Sequence, residues 1–291
     1  MNQKQTLLVC VPPDLKPDIL TRYILNSVVF ANQIGADIHF LCDPENQGTV
    51  NSALKSFNGN GDQTLKTVLH QPFSAWSSPV LNETVERYPC DLVVVPSGNL
   101  KDDAYGSQIR RQLLEQAREP TLIVPLEIDF IKTPINSILI PMSGEIRISS
   151  ALKFGLRLTN RIHVPVDLLH VIKTESPMKS PLETMGDQPQ HEYRALLDGV
   201  LAEACPFSEV KERAEVRNLY EVQGSPAVEI LQAIKKLPFC ALVVEWHGSF
   251  SEGRGKVLKN ILNEVSIPIF LVRTEIEQKS VLKIGPDKLV A

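Results

Sequence analysis

Short unbroken apolar runs alternate with longer segments of helical periodicity along this chain. The run TLLVCVP (Thr6–Pro12) ends in turn residues, and SILIPMS (Ser137–Ser143) repeats that arrangement. Apolar runs of this length predict strands buried on both faces. A helical pattern follows each run, over Ile19–Asp37 and Arg147–Ile162, and each returns to an apolar strand, IHFLCD from Ile38 and VDLLHVI from Val166.

The later parts of the two series also correspond. Third strands are predicted at Val68–Ser74 and Ala214–Gly224, each followed by a helix opened by Ser-Pro, at Ser78-Pro79 and Ser225-Pro226. Serine is a good N-cap and proline suits the first helical position. Fourth strands, Cys90–Gly98 and Cys240–Gly248, run into glycine-bearing loops. Last helices (Ser107–Ala117, Lys256–Val265) and closing strands (Glu119–Pro125, Ser266–Val272) complete each series.

Strands alternating with helices predict an α/β fold of two tandem Rossmann-like domains, each a five-stranded parallel sheet with helices on both faces. The boundary falls within Leu126–Asn136, giving domains at 1–132 and 133–291. Left unpaired, sheet edges would be a liability. Asp43–Gln63 has room for one short helix, and the Pro- and Ser-rich Lys173–Gln190 reads as a surface loop.

Composition narrows the function classes. Apolar residues make up 43% and charged residues 22% of 291, enough for a sizeable core, and the formal net charge is −4. That balance offers no basic surface for nucleic acid. Five unpaired cysteines without a C-x-x-C motif suggest neither a zinc site nor a redox pair, and fit a reducing compartment. No apolar stretch approaches the ~20 residues of a membrane span. A cytoplasmic protein is therefore expected.

Candidate chemistry lies at the loops after the fourth strands. In Val243–Lys256, VVEWHGSFSEGRGK, Gly253 and Gly255 flank Arg254, and Lys256 opens the last helix. Free N–H groups and cations at a helix start form an anion site. The bland alternative is that these glycines only serve a turn. Trp246 and His247 stand at the fourth strand's mouth, where Trp246 would stack on a base or seal the loop. Glu145, Glu245 and Asp91 read as surface or strand-end charges. His170 reads as a satisfied core or strand-end histidine. Ser143-Gly144 is followed by Glu145, so it matches only part of the Ser-Gly-Gly-x-Asp-Ser turn of ATP pyrophosphatase-type enzymes.

The layout resembles the universal stress protein family in its tandem, two-domain form. SILIPMSGEIRISSALKFGLRLT, LLHVI, and EVQGSPAVEILQAIKKLPFCALVVEWHG with GKVLKNILNEVSIPIFLVR carry the resemblance. It implies a fold of the HUP, or adenine nucleotide alpha hydrolase-like, type and a non-enzymatic stress-response or regulatory role. It also implies ATP or another adenine nucleotide as ligand. Because the family's final strands often pair across a dimer, it implies pairing of TLIV with IFLV within this chain as an internal pseudo-dimer, with a homodimer as a further possibility. The family's pattern is an Asp ending the first strand and, after the fourth, Gly, two residues, Gly, nine residues, Gly, then Ser or Thr. Neither copy has the Asp: Val11 or Pro12 stands there in one, Met142 or Ser143 in the other. The first loop keeps Gly98 and Gly106-Ser107 but carries Asp102 and Asp103. In the second, Lys256 replaces the closing Ser or Thr.

Carried over position by position, the resemblance implies a nucleotide- or anion-binding set of Met142, Ser143, Gly144, Val171, Gly248, Ser249, Gly253, Arg254, Gly255 and Lys256. Neither a catalytic residue nor a metal ligand is expected. The alternative is a module that has lost nucleotide binding and works through a protein partner, such as a transporter or kinase.

Overall fold

In the computed structural model of the chain, the described residues are 5–13, 15–58, 67–70, 83–85, 87–97, 111, 114–115, 117–143, 149–172, 199, 216–250 and 255–274. The first half contains β1 (Thr6–Val11), α1 (Pro17–Gln33), β2 (Asp37–Cys42), α2 (Gln47–Asn58), β3 (Thr67–His70), β4 (Leu92–Pro96) and β5 (Thr121–Val124). The second contains β6 (Ile138–Ser143), α3 (Ser150–Ile162), β7 (Val166–Ile172), β8 (Val216–Gln223), α4 (Pro226–Lys236), β9 (Ala241–Trp246), α5 (Lys256–Glu264) and β10 (Ile269–Arg273). The helix expected after Ser78-Pro79, most of the Ser107–Ala117 helix and the Lys173–Gln190 loop lie outside the described residues.

All ten strands form one sheet, in the order β3-β2-β1-β4-β5-β10-β9-β6-β7-β8. Each half thus repeats the order third, second, first, fourth, fifth. Neighbours within a half are parallel. The join is antiparallel: Phe270 of β10 faces Leu122 of β5 and Ile269 faces Ile123. The two five-stranded parallel halves thus join into one continuous sheet through the pairing of TLIV with IFLV that the sequence reading anticipated.

Strand side chains alternate between two apolar layers. Leu7, Val9, Ile138 and Ile140 pack with residues of α1, α2 and α3 on one face. Leu8, Cys10, Leu139 and Val171 pack with Ile230 of α4 and Leu258 and Ile261 of α5 on the other. At Gly155 of α3 an added Cβ would lie 3.2 Å from Ile140 Cγ1 and closer to its Cδ1, so glycine lets this helix settle onto the sheet.

The halves share a core. The Phe270 ring lies 5.6 Å from Phe30 of α1 and 5.7 Å from Phe154 of α3. Asn26, buried on α1, donates to the Ile128 carbonyl (2.8 Å) and accepts from the Phe130 N–H (2.9 Å), tying the connecting segment to the first half. Gln33 donates to the Ile135 carbonyl at 2.7 Å, and Arg161 of α3 to the Ile34 carbonyl.

Candidate functional site

In an open α/β sheet, the crevice forms where the chain order reverses and neighbouring strands part at their carboxyl ends. In the second half that point lies between β6 and β9, which pair at Ile138–Ala241 and Leu139–Leu242 before separating. A cavity of about 330 Å³ opens there. Its wall comes from Pro141 and Met142 of β6, Val171 of β7, and Val244, Glu245 and Trp246 of β9.

Three helix starts border this cavity: Ser149 before α3, Pro226 of α4, and Gly255 to Leu258 around the first turn of α5. Each brings the positive end of a helix dipole to the same space. They are satisfied differently. Ser149 caps α3, its hydroxyl accepting from the Leu152 N–H at 3.1 Å. Ser225 and Gly255 make no side-chain cap to α4 and α5. The expected Ser-Pro start at Ser225-Pro226 is thus present, without the hydroxyl bond that usually accompanies it.

Two charged side chains face the space. Half-buried Glu245 accepts the Ser150 N–H through Oε1 at 3.3 Å, so a carboxylate from β9 sits at the start of α3. Its second oxygen has no hydrogen-bond partner among the described residues. Lys256 is exposed and makes no ion pair among the described residues. Glu245 was read from sequence as a surface or strand-end charge.

Of the residues selected from the sequence, Met142, Val171, Gly255 and Lys256 meet at the cavity. Ser143 ends β6, its side chain outside the described residues, as are Gly144, Gly253 and Arg254. Gly248 and Ser249 are not among the cavity-lining residues. Gly248 has φ 74°, and an added Cβ would lie 2.6 Å from Arg273 Cζ, so glycine makes room for that guanidinium. Gly255 has φ 69°, and its Cβ would meet the Ser249 carbonyl oxygen at 2.8 Å, so glycine is needed to close the loop.

Trp246 is buried against Phe250, ring centroids 5.0 Å apart, and so seals the loop onto the sheet while bordering the cavity. His247 also borders the cavity, its Nδ1 3.1 Å from the Thr274 hydroxyl. His170 is buried with Nδ1 3.8 Å from Glu221 on β8, and strand alternation puts it on the face opposite Val171. Asp91 is a strand-end residue, accepting the Thr6 N–H at 2.8 Å. Among the described residues no group of three His, Cys, Asp or Glu side chains is placed to hold a metal ion. No helix formed by them is long and apolar enough to cross a membrane.

The corresponding point of the first half is built differently. β1 and β4 pair as far as Val9–Val94. There the buried Tyr23 hydroxyl of α1 lies 2.9 Å from both the Cys10 and Val94 carbonyl oxygens. Burial pushes its phenol pKa well above the usual value, so it stays protonated to donate.

No curated protein matches this chain in sequence. Solved structures match nearly its whole length. A functionally unknown protein from Pseudomonas aeruginosa PAO1 is 14% identical, with TM-score 0.58 and 93% of both chains covered. A universal stress protein from Archaeoglobus fulgidus is also 14% identical, with TM-score 0.58, covering 91% of this chain and 98% of that one. The cytoplasmic domain of a prokaryotic cation chloride cotransporter is 12% identical, with TM-score 0.54, covering 92% and 95%. At these identities the likeness is one of fold. The sequence model of the universal stress protein family matches residues 134–273, and that stretch of the chain is a universal stress protein family domain.

Proposed function

We propose that this is a tandem universal stress protein, domains 1–132 and 133–291, that binds an adenine nucleotide or a related anion in its second half. Its role is regulatory rather than enzymatic. The observation that carries this reading is the cavity where β6 and β9 part, bordered by three helix starts and by Lys256. Such crevices are the usual ligand position in open α/β sheets. Two helix starts without side-chain caps and the Lys256 ammonium, unpaired among the described residues, supply attraction for an anion.

Titration calorimetry with AMP, ADP and ATP tests it. At least one gives saturable heat, weakened in Lys256→Ala. Absence of heat from all three at millimolar concentration would overturn the ligand assignment.

A second reading has specific support. Glu245 places negative charge inside the cavity, and this fold also forms the cytoplasmic domain of a cation chloride cotransporter. Under that reading the chain acts through protein contacts and binds no nucleotide. The same titration separates the two.

A further inference from the structure

Resting on the nucleotide reading above, we infer that Glu245 sets the ligand's charge: the cavity takes a nucleoside or nucleoside monophosphate and refuses the triphosphate. Glu245 borders the cavity from the end of β9. One of its oxygens occupies the Ser150 N–H, a donor at the start of α3 that an incoming phosphate would use. Ser149 already satisfies the Leu152 N–H in the same turn. The dipole end of α3 therefore faces the cavity already neutralised by the protein's own carboxylate.

That leaves anion-binding capacity on the opposite side, at α5, where Gly255 starts the helix without a side-chain cap and Lys256 is unpaired among the described residues. One phosphate group fits this distribution. A polyphosphate tail would bring several charges into a space of about 330 Å³ that also holds a carboxylate. That volume is at the lower end of the roughly 300–1,000 Å³ usual for small-molecule sites. Within such a confined space the repulsion is only weakly screened. The second Glu245 oxygen, without a protein partner among the described residues, is an acceptor for a ligand hydroxyl or amino group. A nucleoside offers such donors on its ribose and base.

The test measures affinities of adenosine, AMP and ATP for the full chain and for Glu245→Gln. Glutamine keeps the shape and can still accept the Ser150 N–H, so the fold is retained. The wild-type protein binds AMP at least about tenfold more tightly than ATP. Glu245→Gln narrows that ratio about tenfold by strengthening ATP more than AMP. Equal binding of AMP and ATP by the wild type, or a ratio that the variant leaves within twofold, overturns the role of Glu245 while leaving nucleotide binding intact. Failure of all three compounds to bind either protein overturns both.

Discussion

The backbone N–H of Phe250, in the loop after β9, donates to the Glu115 carboxylate of the first half at 2.9 Å. Arg111, four residues earlier, lies over the Phe250 ring, 5.8 Å from its centroid, and pairs with Glu115 at 3.4 Å. Arg273 of β10 donates to the Ala117 carbonyl at 3.3 Å. The loop beside the second-half cavity is thus held by the last helical segment of the first half.

Removing that acceptor should loosen the loop more than the whole protein. Hydrogen bonds to charged groups contribute about 1.5–3 kcal/mol, and a value nearer 1 kcal/mol suits the partial exposure of Glu115. Glu115→Ala is expected to speed hydrogen exchange at the Phe250 amide about fivefold, with little change at β1 or β6. Unchanged exchange at Phe250 would show that the bond holds nothing in place.

Phe270 tests the shared core. Its ring is fully buried between Phe30 and Phe154, one from each half. Phe270→Ala should lower stability by about 3–5 kcal/mol in denaturant unfolding. A loss below about 1 kcal/mol would mean that the halves do not depend on this contact.

Backbone and charge at the start of α5 separate cleanly. Gly255→Ala forces a side chain into the left-handed region and against the Ser249 carbonyl, so stability should fall by about 1–3 kcal/mol. Lys256→Ala should leave the melting temperature within about a degree or two, since the side chain is exposed and unpaired among the described residues. It should weaken AMP binding severalfold. If Lys256→Ala lost stability and Gly255→Ala did not, these roles would be reversed.

The buried thiols predict behaviour in alkali. Desolvation, helped by nearby Glu119 and Asp91, pushes Cys90 up to about 12 from 9.0. Burial raises Cys10 further still. Between pH 9 and 12 the unfolded chain loses these protons while the folded chain keeps them. Stability is then full below pH 9 and falls above it, by up to about 1.4 kcal/mol per pH unit per thiol. Denaturant midpoints measured from pH 8 to 11 check this. Replacing Cys10 and Cys90 by Ala should flatten the alkaline slope; an unaltered slope would locate it in other groups.

Much of the scaffold was legible because its signals are local. The run VDLLHVI maps onto β7 over Val166–Ile172, and KVLKNILNEV onto α5 to within one residue. Pairing of the two closing strands was implied by the family resemblance and is present in the sheet. The cavity was legible in part: Met142, Val171, Gly255 and Lys256 meet there, although 29 residues separate the first pair in sequence and 84 separate Val171 from Gly255. Glu245 is the strand-end charge the sequence suggested, but its contact with the start of α3 was not legible. Only the adjacency of β6 and β9 brings the start of α3 to it, and that adjacency is not local. The closeness of Gly248 to Arg273 was not legible for the same reason, since Arg273 arrives from β10.

The most direct measurement is a map of backbone amide shifts during titration with AMP. The expected result is a saturable set of shifts at Ser150, Glu245, Trp246, Val257 and Leu258, around the point where β6 and β9 part, with Tyr23 and Val94 unmoved. Shifts confined to the first half, or scattered over the surface without saturation, would contradict a ligand site in the second half.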